Sequence, residues 1–291
     1  MQPRLKINGH QNTCEPLEIS CEILTYLLWM LRSSHARYLA RLVAAGLTSA
    51  AALVIAELAI IATRTPRLPP APGPREGRSG ETGKLPALRL LVFGDSVACG
   101  VGCPSNEDAL AGGLARRIAA TTARAVDWTV LGLSGATAAS MDAALVPRIA
   151  APYDVVVISV GVNHVISLHS PARYERELAA LLRRLRARCG SAARIVVCDC
   201  PPMHAFPQIS YLWPARELFR RYAAAMTAAA RRACARAGDG TASAAVDLSR
   251  YALDDPAWVA SMMAPDGFHP ARGACELLAP HICAAAGLGG D

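Results

Sequence analysis

Residues 87–287 of this 291-residue chain predict a three-layer α/β/α domain on a parallel five-stranded sheet, and two observations carry the prediction. Short apolar runs rich in β-branched residues recur at 88–93 (LRLLVF), 126–132 (VDWTVLG), 153–161 (YDVVVISVG), 193–200 (ARIVVCDC) and 244–248 (AAVDL). Continuous runs of this kind suit strands buried on both faces. Longer amphipathic stretches near 106–123, 137–150, 171–189, 215–237 and 271–286 separate and follow them. Strand and helix alternating at these lengths give a parallel sheet with helices on both sides.

Taken in chain order, the N-terminal segment 1–62 comes first, and its residues 42–62 (LVAAGLTSAAALVIAELAIIA) carry a single charge, Glu57. Twenty-one helical residues at about 1.5 Å each reach across about 30 Å of hydrocarbon, so this is a candidate transmembrane helix. A carboxylate there costs about 3 kcal/mol on insertion scales, which leaves a buried or interfacial helix as the competing assignment. About forty residues precede it, several of them acidic, and this favours an uncleaved anchor over a cleaved signal. The earlier apolar stretch from Ile23 to Leu31 is too short to span. Arginines flank both ends (Arg32, Arg37 and Arg41; Arg64, Arg67, Arg75 and Arg78), leaving the side of the membrane open. Residues 63–86, rich in Pro, Gly and charge, read as an extended tether, with partner contact expected at the membrane through the helix before it.

Within the domain, the stretch 171–189 is the most explicit helix. Ser170 can cap it, Pro171 suits its first position, and Tyr174, Leu178, Leu181 and Leu185 form one apolar stripe.

The charge balance, 30 − 23 = +7, comes mainly from arginines dispersed among alanines, and aromatics are only 5%. That is too few for base stacking, so nucleic acid is not an expected partner. Ten cysteines at irregular spacing define no pairing and no C-x-x-C motif. Cys198, Cys200 and His204 sketch a metal site, but small residues closing a buried strand account for the cysteines equally, and no metal or organic cofactor is expected.

Ligands of open parallel sheets bind at the carboxyl ends of the strands. The residues there are Gly94-Asp95-Ser96-Val97 after the first run, Ser134-Gly135-Ala136-Thr137 after the second and Gly161-Val162-Asn163-His164 after the third. Asp266-Gly267-Phe268-His269-Pro270 precedes the last helix. Ester hydrolysis needs a hydroxyl nucleophile, an imidazole base, a carboxylate to orient it and donors for the oxyanion. Ser96 supplies the first, His269 and Asp266 the next two, and the N–H groups of Ser96 and Gly135 with the Asn163 amide supply the donors. The segment 132–136 (GLSGA) lacks the last glycine of a G-x-S-x-G elbow, and the glycines at 94, 100 and 102 lack the companions of a P-loop or dinucleotide fingerprint.

These four blocks, in this order over about 200 residues, resemble the SGNH (GDSL-type) hydrolase superfamily, and the Gly94–Gly102 and Asp266–Pro270 stretches resemble a bacterial membrane-tethered subgroup of serine esterases. The resemblance implies a flavodoxin-like fold and an esterase or lipase. It makes Ser96 the nucleophile, Gly135 and Asn163 oxyanion donors, and Asp266 and His269 the rest of the triad. The implied substrate is a small acyl ester, such as a lipid or an acetylated sugar, and some members transfer the acyl group instead of releasing it. One position departs: His164 stands where the family usually has Asp, which removes that residue's part in arranging the loop. The alternative it raises is a weakly active or non-catalytic binding domain at the membrane.

Overall fold

The computed structural model describes residues 34–83, 85–238, 241–244 and 255–289. The stretch from Ile23 to Leu31, and most of the strand expected at 244–248, lie outside these residues.

Helix α1 (Ser34–Arg64) includes the expected apolar segment, and its portion Arg41–Ile61, with a mean hydropathy of 2.0, is long and apolar enough to cross a membrane. Contacts divide the chain into two units between Leu53 and Val54. On the C-terminal side of that point, Leu58 and Ile61 pack on the domain core. Glu57 is buried, and its carboxylate accepts the Ala215 N–H at 2.8 Å. The solitary charge of the apolar segment therefore has a protein partner.

The sheet has six strands: β1 (Glu76–Ser79), β2 (Leu88–Gly94), β3 (Val126–Gly132), β4 (Val155–Ser159), β5 (Arg194–Cys198) and β6 (Thr241–Ala244), in the order β1-β3-β2-β4-β5-β6. The strands β2, β3, β4, β5 and β6 pair in parallel, the first four of them at the expected runs and β6 overlapping the expected 244–248 only at Ala244. The sixth, β1, is an antiparallel edge strand beside β3, drawn from the stretch read as a tether, so the sheet is mixed and not wholly parallel. Its sequence, EGRS, has no apolar signal because it is held by backbone pairing at an edge and by Arg78, which donates to both oxygens of Asp127.

Alternation along the central strands sorts side chains between two cores. Leu91 and Phe93 of β2, Val156 and Ile158 of β4, and Ile195 and Val197 of β5 face one layer. That layer contains α3 (Ala138–Ala144), α5 (Pro171–Cys189) and α6 (Ala215–Ala237). Leu90, Val92, Val155, Val157 and Val196 face the other, with α2 (Leu110–Thr122) and α8 (Arg272–Ala285). In α5 the Ser170 hydroxyl accepts the Arg173 N–H, and Tyr174, Leu178, Leu181 and Leu185 are all buried, as the pattern predicts. Two short helices, α4 (Val162–Ile166) and α7 (Pro256–Met262), complete the elements near the strand ends.

Candidate active site

Ser96 follows β2 directly. At Gly94, with φ +151°, a Cβ would stand 2.2 Å from the Ser159 carbonyl oxygen of the next strand, so only glycine permits the two backbones to approach this closely. The chain then folds into a helical turn in which Val101 N–H donates to the Ser96 carbonyl at 3.0 Å.

Asp266 and His269 occupy a tight loop before α8, closed by the Ala264 N–H to His269 carbonyl bond at 2.8 Å and by Gly267 at φ +63°. Asp266 is fully buried, and its Oδ1 accepts the backbone N–H groups of Phe268 and His269, each at 2.9 Å. Its Oδ2 lies 2.6 Å from His269 Nδ1, and His269 Nε2 lies 2.8 Å from Ser96 Oγ. Residues 173 positions apart in sequence thus meet in one hydrogen-bonded chain.

Gly135 (φ +79°) ends β3's outgoing turn with open space where a Cβ would stand. Asn163, in the first turn of α4, donates one amide hydrogen to the Ala136 carbonyl at 3.0 Å, tying the two loops together and leaving its second N–H to donate elsewhere. Among the described residues, the N–H groups of Ser96 and Gly135 have no protein acceptor.

The Asp95 carboxylate is buried beneath the Ser96 turn, accepting from Ser159 Oγ at 2.7 Å and Val97 N–H at 3.1 Å, and burial pushes its pKa up to about 6. His164 is fully buried, with Nε2 3.1 Å from Glu177 Oε2 and 3.4 Å from the Ala138 N–H. Burial shifts its pKa down, which favours the neutral ring. The imidazole therefore links α4, α3 and α5. His169 joins His164 and Glu177 in offering three ligand-type atoms within 4.8 Å of one another, although Arg173 already pairs with Glu177 at 2.6 Å. Burial pushes the thiols of Cys198 and Cys200 up to about 12, keeping both protonated.

A cavity of about 300 Å³ opens beside Ser96 and His269, walled by Val160, Val162, Phe206, Met263, Phe268 and Leu278. Phe206 and Met263 come from the stretches around 199–214 and 256–263, which show no periodic apolar pattern, and this wall was not foreseeable from spacing.

Residues 92–272 match the model of the GDSL-like lipase/acylhydrolase family. The GDSL-like esterase Rv1075c of Mycobacterium tuberculosis (strain ATCC 25618 / H37Rv) is 33% identical over 154 residues, 50% of this chain and 47% of that protein, so the match spans about half of that relative's length. Among solved structures, the lipase Lip_vut3 from a goat rumen metagenome aligns over 70% of this chain and 99% of its own, with a TM-score of 0.55 at 17% identity. An extracellular lipase from Streptomyces rimosus aligns over 68% and 100%, with a TM-score of 0.51 at 17% identity, and both likenesses concern the fold. The matched span includes all four motif blocks, from Gly94-Asp95-Ser96 to Asp266–His269: this chain belongs to the GDSL-like lipase/acylhydrolase family of the SGNH hydrolases.

Proposed function

We propose that the protein is a serine hydrolase that cleaves carboxylic esters, and the hydrogen-bonded chain from Ser96 Oγ through His269 to Asp266 is the observation that carries this reading. His269 Nε2 takes the Ser96 proton as Oγ adds to the acyl carbonyl, while Asp266 fixes the imidazole through Nδ1. The N–H groups of Ser96 and Gly135 and the free amide hydrogen of Asn163 receive the developing oxyanion. His269 then returns the proton to the leaving alcohol, and water releases the acyl group by the same steps in reverse. The apolar cavity beside Ser96 receives the acyl portion. Nothing in these steps draws on a cofactor.

Hydrolysis of short-chain p-nitrophenyl esters by wild type and by Ser96→Ala tests the assignment. Loss of turnover in a folded Ser96→Ala protein supports it, and turnover that survives the substitution removes Ser96 from the role of nucleophile. No turnover by the wild type favours a binding domain at the membrane.

The apolar part of α1 attaches the protein to a membrane in this reading. Leu42, Val43, Leu53 and Ile55 are exposed on it, and Glu57 is already paired with the Ala215 N–H. Full-length protein that stays with membranes through a high-salt wash supports the attachment, and release by salt opposes it.

A further inference from the structure

Cys103 lies on the loop that leads away from Ser96, and Cys275 lies in the first turn of α8, six residues beyond His269. The two sulfurs are 3.9 Å apart, and both side chains are buried. The loops that carry them are pressed together. A Cβ at Gly102 would stand 2.7 Å from Ala264 Cβ, 3.1 Å from the Pro270 carbonyl oxygen and 3.3 Å from His269 Cβ. Cys103 Sγ itself faces the Pro270 carbonyl at 3.8 Å.

We propose that Cys103 and Cys275 are a disulfide-forming pair that cross-links the loop of Ser96 to the helix following Asp266 and His269. An S–S bond requires the sulfurs, already 3.9 Å apart, to close to roughly 2.05 Å. The bond forms by exchange with an external disulfide, either oxidised glutathione or the disulfide form of a thiol–disulfide exchange protein. Cys103 loses its proton to solvent, and its thiolate attacks one sulfur of that disulfide, breaking the S–S bond and expelling one thiolate. Cys275 then loses its proton and attacks Cys103 Sγ of the mixed disulfide, expelling the second thiolate. The two expelled thiolates take up two protons. Two protein thiols are oxidised and one external disulfide is reduced to two thiols. The hydrogen bond with Cys275 lowers the pKa of Cys103, which suits Cys103 to the first attack.

The cross-link joins positions 172 residues apart, so it limits the separation of nucleophile and base when the domain loosens. That last consequence rests on the proposed hydrolase reading, whereas formation of the bond does not.

The test is a peptide map of full-length protein in detergent, treated while folded with excess oxidised glutathione, capped with a thiol alkylator and digested without reductant. The expected product is the Cys103 peptide joined to the Cys275 peptide, two hydrogens lighter than their sum and separated by reduction. Oxidised wild type is expected to unfold at least about 5 °C above reduced wild type, a difference that Cys275→Ser abolishes. Alkylation of both residues after oxidation, or pairing of either with another cysteine, overturns the proposal, and the wild-type map decides this whether or not the variant folds. A linked peptide from protein that a serine-directed probe fails to label upholds the disulfide and removes the hydrolase reading instead.

Discussion

The Ser159 hydroxyl donates to Asp95 Oδ1 at 2.7 Å, fastening the end of β4 beneath the turn that presents Ser96. This carboxyl is fully buried, and with its pKa pushed from 3.8 to about 6 it is more stable protonated in the fold than in the unfolded chain. Between pH 4 and pH 6 the unfolded chain releases the proton while the folded one retains it, so Asp95's contribution to stability is full at low pH and is lost as pH rises through that window. Asn retains an oxygen for Ser159 and Val97 without the charge. Asp95→Asn is therefore expected to exceed wild type by about 1–3 kcal/mol at pH 8 and to match it at pH 4. Denaturant melts at the two pH values check this, and equal stability at both contradicts it.

Asp266→Asn tests orientation of the base. An amide in place of the carboxylate that receives His269 Nδ1 favours the wrong tautomer, and the drop in kcat on a p-nitrophenyl ester is expected to be about 10³–10⁴-fold. A loss below tenfold in a folded variant would remove Asp266 from the triad.

The buried His164 contacts Glu177 at 3.1 Å. His164→Asp sets a second carboxylate close to Glu177 and is expected to lower Tm near neutral pH, with recovery when Glu177→Gln is added. Thermal melts of both single variants and of the double variant check the coupling, and additive effects contradict it.

Glu57 satisfies the buried N–H of Ala215, at the start of a helix whose first turn has no side-chain cap of its own. Glu57→Ala is expected to destabilise the full chain in detergent by about 1–3 kcal/mol, and Glu57→Gln, which keeps an oxygen acceptor, by less. No change in the alanine variant would place the glutamate outside the fold.

Local signals carried much of this architecture. β4 and the inner residues of β2 and β5 are apolar because both faces are covered there, and α5 announces itself through Ser170, Pro171 and the Tyr174–Leu185 stripe. β1 was illegible because edge pairing in Glu76–Ser79 asks nothing of side-chain hydrophobicity. β6 pairs with β5 over Thr241–Ala244, and residues 245–248 of the apolar run that suggested a strand lie outside the described residues. Ser96, Asp266 and His269, which form one hydrogen-bonded chain, were readable because each stands in a short motif that follows a strand or precedes a helix. Asp95, Glu177 and the Cys103–Cys275 contact were not, since their partners are set by how distant loops pack. Glu57 looked like a cost in a bilayer helix until the N–H of Ala215 appeared opposite it.

Labelling of the folded protein by a fluorophosphonate, with the modified residue located by peptide mass spectrometry, tests Ser96 as the nucleophile. The expected product is a phosphonyl adduct on Ser96, absent in Ser96→Ala and strongly slowed in His269→Ala. Labelling at another serine, or undiminished labelling of Ser96→Ala, would contradict it.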